Sequence, residues 1–277
     1  MYAHVATWWT ILRICLEERL VYRGDFALGT LMRFLPIVTQ IFLWTAVFDA
    51  SGQERLAGYA RDHVIAYYLL TMVSRAFSSM PGLAGGIARQ IREGEIKKFL
   101  IQPVDMLGFL LLGRVAHKMA YYSVAIAPFG LVFFLCHRYF YGLPAEAATQ
   151  SAIIFAAFLA TLVMGFLLGY FLEASLGLIG FWWLEVRSLL FIYMLMNFFL
   201  SGHMFPLDML PEPWRSLVDL LPLQYLAYFP AAVFLGKITG TELARGLLIE
   251  AAWLIFFIGL ARVMFNRGVK RYSGFGG

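Results

Sequence analysis

Apolar residues run along this chain in blocks of about twenty, the length of a membrane-crossing helix, and short charged stretches separate them. The blocks fall at residues 26–48, 63–83, 106–135, 149–172, 188–204 and 242–265. Before them, Val5, Trp8, Trp9, Leu12, Cys15 and Leu16 recur at helical spacing, with Thr10, Arg13 and Glu17 opposite. That pattern predicts an amphipathic helix within residues 1–24, lying in the membrane interface with its tryptophans at headgroup level. Arg13, Glu17, Glu18 and Arg19 interrupt this first apolar run, so it does not read as a cleavable signal peptide.

Two segments break the alternation. Residues 86–105 (GIARQIREGEIKKFLIQPVD) carry four cations and three carboxylates around Ile87, Ile91, Ile96, Phe99 and Leu100. Gly94 should break the continuing helix and Pro103 should stop the next. The expected product is a short charged amphipathic helix that fills a groove on a soluble partner or rests on lipid headgroups. Residues 205–240 hold Pro206, Pro211, Pro213, Pro222 and Pro230, half of the ten prolines. One straight spanning helix cannot absorb so many missing donors. Two short helices are predicted instead, 213–221 and 224–235, with Pro213 at a first helical position and Gly236 closing the second.

Composition agrees with the pattern: 277 residues, 61% hydrophobic and 14% charged, with a mean hydropathy of +0.74. A soluble domain carries about 25% charge, so a soluble enzyme of this length is excluded. The predicted fold is all-α, one polytopic transmembrane domain over 1–277 with six spans and an external re-entrant hairpin. The net charge of +5 is uneven. Lys and Arg are denser in the segments around Arg13, Arg92, Arg187 and Arg271 than in those around Arg55, Arg138 and Lys237. The positive-inside bias therefore puts both termini in the cytoplasm and gives no nucleic-acid footprint.

Chemistry is sparse. Gly236-Lys237-Ile238-Thr239 lacks the upstream glycine and the adjacent hydroxyl of a phosphate loop, so the chain is not expected to bind ATP in that way. Five scattered histidines and two cysteines, Cys15 and Cys136, make no metal site, and no catalytic residue is assigned. Ser201-Gly202-His203 reads as a helix end rather than a nucleophile–base pair. Within the predicted spans Arg33, Gln40, Arg75 and Asn197 are polar groups that must face protein or water. Arg75 could pair with a carbonyl or with Glu173.

The sequence resembles the ABC-2-type permeases, the membrane subunits of bacterial ATP-binding-cassette exporters. The likeness rests on Ile91-Arg92-Glu93-Gly94-Glu95-Ile96-Lys97-Lys98-Phe99-Leu100-Ile101-Gln102-Pro103-Val104, with departures at Lys98 and Gln102. It rests also on Phe205-Pro206-Leu207-Asp208-Met209-Leu210-Pro211, on Leu221-Pro222-Leu223-Gln224-Tyr225, on Tyr228-Phe229-Pro230, and on the closing Arg271-Tyr272-Ser273-Gly274-Phe275-Gly276-Gly277. The resemblance implies a separate cytoplasmic ATPase dimer that carries ATP and Mg, with no cofactor in this chain. It implies a coupling segment over 86–104 that docks on it through Arg92, Glu93, Glu95, Lys97, Phe99 and Leu100. A second permease subunit, identical or paralogous, would complete a pathway lined by the first, second and fifth spans, with Gln40, Trp44, Tyr68, Arg75, Asn197 and Phe198 as candidates. The hairpin would gate it through Phe205, Pro206, Pro222, Tyr225 and Tyr228. The implied location is the bacterial inner membrane, with membrane lipid as a further partner. An intramembrane lipid-modifying enzyme and an ATP-independent carrier or channel are the alternatives.

Overall fold

The computed structural model describes the chain except Met1, Tyr22, Ala57, residues 142–147, Leu184 and residues 273–277, together with the side chains of residues 2–5, 19, 21, 23–34 and 148–151. Arg33's side chain and the Ser273–Gly277 end of the closing motif thus lie outside the described residues. The architecture is all-α apart from one two-residue strand pair. The helices are α1 (Tyr2–Val21), α2 (Arg23–Ser51), α3 (Arg61–Ser78), α4 (Leu83–Arg92), α5 (Lys97–Ile101), α6 (Met106–Leu135), α7 (Ala148–Leu178), α8 (Arg187–Leu200), α9 (Trp214–Asp219), α10 (Tyr228–Phe234) and α11 (Gly240–Arg271).

Among the described residues three helical stretches are long and apolar enough to cross a membrane: Met106–Leu135, Ala152–Phe181 and Gly240–Arg271. The apolar parts Leu35–Ser51 of α2 and Arg187–Leu200 of α8 are shorter. All six predicted blocks are helical, but their bounds move. The second ends at Ser78 rather than 83, because Pro81 lacks a donor and Gly82 adopts a left-handed φ of 71° before α4 starts. The fourth continues past 172, so Glu173 belongs to α7 and not to a loop. The fifth stops at Leu200, four residues early, where Gly202 turns the chain with φ 81°. At about 1.5 Å per residue, its 14 residues reach about 21 Å.

The chain divides into two compact units. Unit 1 comprises residues 1–47 and 97–139. In it α1 lies on α6, burying part of Trp8, Ile11, Leu12, Cys15 and Leu16. Trp9 stays 68% exposed. An Arg13–Glu17 pair (2.8 Å) decorates the far face. The predicted amphipathic spacing is therefore used against a protein neighbour. Gly108 makes room for it, since a Cβ there would stand 3.1 Å from the Trp8 ring. Asp105 caps α6 by accepting a hydrogen bond from the Gly108 N–H (2.7 Å).

Unit 2 comprises residues 48–96 and 140–277. Its axis is α7, which packs against α3, α4, α10 and α11. Small residues on α7 allow close approach. A Cβ at Gly177 would stand 2.7 Å from the Ala84 carbonyl oxygen, and one at Gly169 would collide with the carbonyl of Ser78. The charged stretch 49–62 is not all loop: residues 55–56 (β1) and 59–60 (β2) pair antiparallel, with Leu56 opposite Tyr59.

The proline-rich segment differs from two simple helices. Pro213 precedes the first helix, α9, rather than starting it. The second is split into a 3-10 turn, Pro222–Leu226, and α10, with a break at Ala227. Gly236 does end it, with φ 70°. The turn and α10 form the centre of unit 2: Leu223, Tyr225, Leu226, Phe229 and Val233 cluster with Ala157, Leu168, Leu172 and Leu243. By contrast α9 shows Trp214, Leu217 and Leu220 to the outside.

Candidate functional sites

The charged segment straddles the two units, and each half has its own support. In unit 2, α4 buries Leu83, Ala84, Ile87, Ala88 and Ile91 against α7, so its spacing of three and four is that of a helix with one packed face. Gly85 and Gly86 lie inside this helix and do not loosen it. Gly94 then turns the chain with φ 77°, and the Ile96 N–H donates to the Gln90 carbonyl (3.1 Å), closing the turn over a fully buried Ile96. The carboxylates Glu93 and Glu95 and the guanidinium of Arg92 are left exposed on this base. Arg89 faces Glu93 at 3.8 Å, and Arg92 faces Glu185 at 3.8 Å. At such exposure each pair is worth under about 1 kcal/mol, so the rim is adjustable while its base is not.

In unit 1, Lys97, Lys98 and Leu100 are exposed, and Phe99 is 8% exposed with its ring 5.4 Å from Phe109. Phe99 is thus committed within the chain, against its expected place in a partner groove. The apolar groups that α5 shows outward are Leu100 and Ile101.

The pathway candidates separate on inspection. Tyr68 is 6% exposed, and its hydroxyl donates to the Met204 carbonyl; Tyr67 does the same to the Gly202 carbonyl. Both tyrosines fasten the turn after α8 to α3, so Tyr68 lines no open surface. Arg75 and Glu173 both lie in electrostatic range of Tyr193, and Arg75 also of His203. Asn197 leaves its side-chain oxygen without a hydrogen bond among the described residues, and Phe198 is 40% exposed beside His203. No residue of α8 is buried. Gln40 and Trp44, partly buried on α2, belong to the other unit.

Of the gate candidates, Pro206, Pro222, Tyr225 and Tyr228 are buried and Phe205 is half-buried. The Tyr228 N–H donates to the Ser201 carbonyl (2.9 Å), and Ser78 Oγ donates to the Leu226 carbonyl (2.8 Å). These bonds tie the segment to α8 and α3 as part of the core.

Two groups become conspicuous only in the fold. Asp208 accepts from the Tyr59 hydroxyl (2.9 Å) and from Lys237 Nζ (2.8 Å), with Lys237 lying over the Tyr59 ring. Three remote stretches are clasped here: the strand pair, the turn after α8 and the exit of α10. Burial, and then the Asp208 charge, push the Tyr59 hydroxyl well above its ordinary range. Burial lowers Lys237, and the Asp208 hydrogen bond opposes that. No local motif announces this trio. The second group, Glu250 on α11, is 0% exposed with neither carboxylate oxygen hydrogen-bonded among the described residues. An acid eight residues inside the last apolar block, past Glu242 at its edge, was its sequence signal.

Long apolar helices with a strongly polar turn at one end define a membrane-embedded helical protein. The family profile described as ABC-2 family transporter protein matches residues 34–276, and the chain belongs to that family. It is a membrane component of a transporter, from a family that associates in general with an ABC ATPase. A search of curated proteins gives no match.

Proposed function

We propose that this chain is the permease subunit of an ATP-driven exporter in a bacterial inner membrane, with both termini cytoplasmic, six crossings, and a pathway formed with a second permease subunit. Energy comes from a separate cytoplasmic ATPase dimer holding ATP and Mg. The observation that carries the reading is the α4–Gly94 turn: the buried Ile87, Ile91 and Ile96 anchor it in unit 2 while Arg92, Glu93 and Glu95 project from it. A force applied at that charged rim is transmitted to α7 as a rigid-body movement rather than absorbed in a loop. Lys97 and Leu100 continue the exposed surface along the sequence. The unburied apolar faces of α2 and α8 are where the second subunit and the cargo meet the chain.

The test is assembly. Co-expressed with the ATPase encoded beside it, the wild-type chain should co-purify and stimulate ATP hydrolysis. The Glu93→Lys/Glu95→Lys variant should lose both while its thermal unfolding stays unchanged. If assembly and stimulation both persist, the coupling assignment is wrong.

Glu250 favours a second reading, a proton-coupled carrier, because a buried acid with no hydrogen bond among the described residues can exchange a proton as its surroundings move. Transport by the purified chain in liposomes without ATPase, lost in Glu250→Gln, would choose it over the first.

A further inference from the structure

A groove of about 510 Å³ opens between the end of α7 and the last turns of α11, lined by Ile179, Trp182, Trp183, Leu260, Val263, Met264, Arg267 and Arg271. Its volume is in the range of small-ligand sites. Its chemistry is graded along one direction. Leu260, Val263, Met264, Arg267 and Arg271 recur every three or four residues, so they form one face of α11. Over about 16 Å of helix that face passes from aliphatic to doubly cationic. Trp182 and Trp183 flank it from the opposite wall.

Among the described residues the lining contains no carboxylate. Glu185, the acid that follows the tryptophans, is engaged by Arg92 at 3.8 Å and Arg187 at 3.7 Å. Among the described residues neither Arg267 nor Arg271 has an ion pair. The walls are held in place from behind. Gly268 leaves the space that the Phe181 ring occupies, and that ring also meets Phe265 (6.4 Å) and Tyr272 (6.1 Å). The groove is therefore a fixed feature of unit 2 rather than a gap between loose side chains.

We propose that this groove binds one anionic phospholipid of the cytoplasmic leaflet. Its phosphate lies between the Arg267 and Arg271 guanidiniums, its glycerol region lies against Trp182 and Trp183, and an acyl chain follows Leu260, Val263 and Met264. Guanidinium groups suit a phosphate because they offer planar, paired donors. Indoles suit the boundary between headgroup and hydrocarbon. A soluble anion would leave the aliphatic half of the groove unused, and a zwitterionic lipid would leave the two cations unneutralised. The proposal rests on the reading that α11 crosses the membrane with its C-terminal end in the cytoplasm.

The experiment is native mass spectrometry of the full chain released from nanodiscs of phosphatidylcholine doped with phosphatidylglycerol. The wild-type chain should retain one phosphatidylglycerol in preference to phosphatidylcholine. Arg267→Gln/Arg271→Gln should lower that retention about tenfold or more, since each juxtamembrane cation contributes substantially to anionic-lipid attraction. Lys270→Gln, on the same turn but outside the lining, should not. Val263→Trp, which fills the aliphatic part without touching the charge, should also expel the lipid, and it covers the case in which the arginine variant fails to fold. Undiminished retention in both groove variants, equal retention of the two lipids, or displacement by millimolar inorganic phosphate overturns the proposal; the last result would make the groove a free-anion site. A topology reporter fused after residue 277 tests the membrane reading separately. A reporter outside the cytoplasm would sink that reading whatever lipid is retained.

Discussion

Two neighbouring segments of unit 2 have similar hydrophobicity and opposite fates. Helix α8 is a regular, apolar, 14-residue helix; none of its residues is fully buried, and only Leu189, Leu190, Tyr193, Asn197 and Leu200 are partly covered. The turn Pro222–Leu226 with α10 holds prolines, a 3-10 geometry and a backbone break, and nearly all of it is buried. Apolar content does not separate them; backbone hydrogen bonding does. A regular helix satisfies its own peptide groups and can face hydrocarbon, whereas an irregular segment at membrane depth must find partners in protein. The Ser201 and Leu226 carbonyls, taken up by the Tyr228 N–H and the Ser78 hydroxyl, are two of those partnerships. The segment predicted as a movable external gate thus supplies much of the framework.

The contrast can be broken most directly by truncation. Phe229→Ala, at 4% exposure and with its ring fitted over Gly246, should cost about 3–5 kcal/mol in detergent unfolding. Phe191→Ala on α8, at 56% exposure, should stay within about 0.5 kcal/mol in the isolated chain. Equal costs would show that α8 is held within the chain after all. Next in size is Gly169→Ala on α7. Its added methyl meets the Ser78 carbonyl, and a loss of about 1–3 kcal/mol in the same assay is expected. A neutral result would mean that α3 and α7 are not in close contact.

The clasp around Asp208 sharpens the comparison further, because it fixes the proline-rich segment at its edge. Lys237→Met leaves Asp208, whose side chain is 13% exposed, with one partner fewer. A cost of about 1–3 kcal/mol follows, and a double-mutant cycle with Tyr59→Phe should give coupling rather than additivity. The smallest effect is in pH. Tyr59 prefers its neutral form in the fold, so its stabilisation is present below its ordinary value of 10.0 and is lost as the pH rises past it. Lys237, lowered in the fold, acts oppositely: stability gains as pH climbs towards its ordinary 10.5. Because Tyr59 is shifted farther, unfolding midpoints should fall at alkaline pH, and Tyr59→Phe should flatten that fall. A steeper fall in the variant would refute this account.

Much of the fold was legible along the chain. The third block, 106–135, coincides with α6, and glycines 94 and 236 turn the backbone where their positions implied. Helix ends were less legible, because Glu173 and the residues beyond Leu172 stay helical under the packing of α4 on α7. The charged segment 86–105 was legible in its charge pattern, but the inward turn of Phe99 was not, since its ring meets Phe109, ten residues on. Tyr59, Asp208 and Lys237 are unremarkable alone and meet only through contacts across about 150 residues of sequence.

Periodicity and composition alone determined an all-helical membrane chain, the place of its charged turn and the absence of a phosphate loop, because these depend on residues close in sequence. Which apolar faces are core and which are surface was decided by tertiary structure. So were the burial of Glu250 and the alignment of Arg267 and Arg271 with Trp182 and Trp183, which follow α7. Burial depends on what a distant segment brings against a residue, and no local pattern records that.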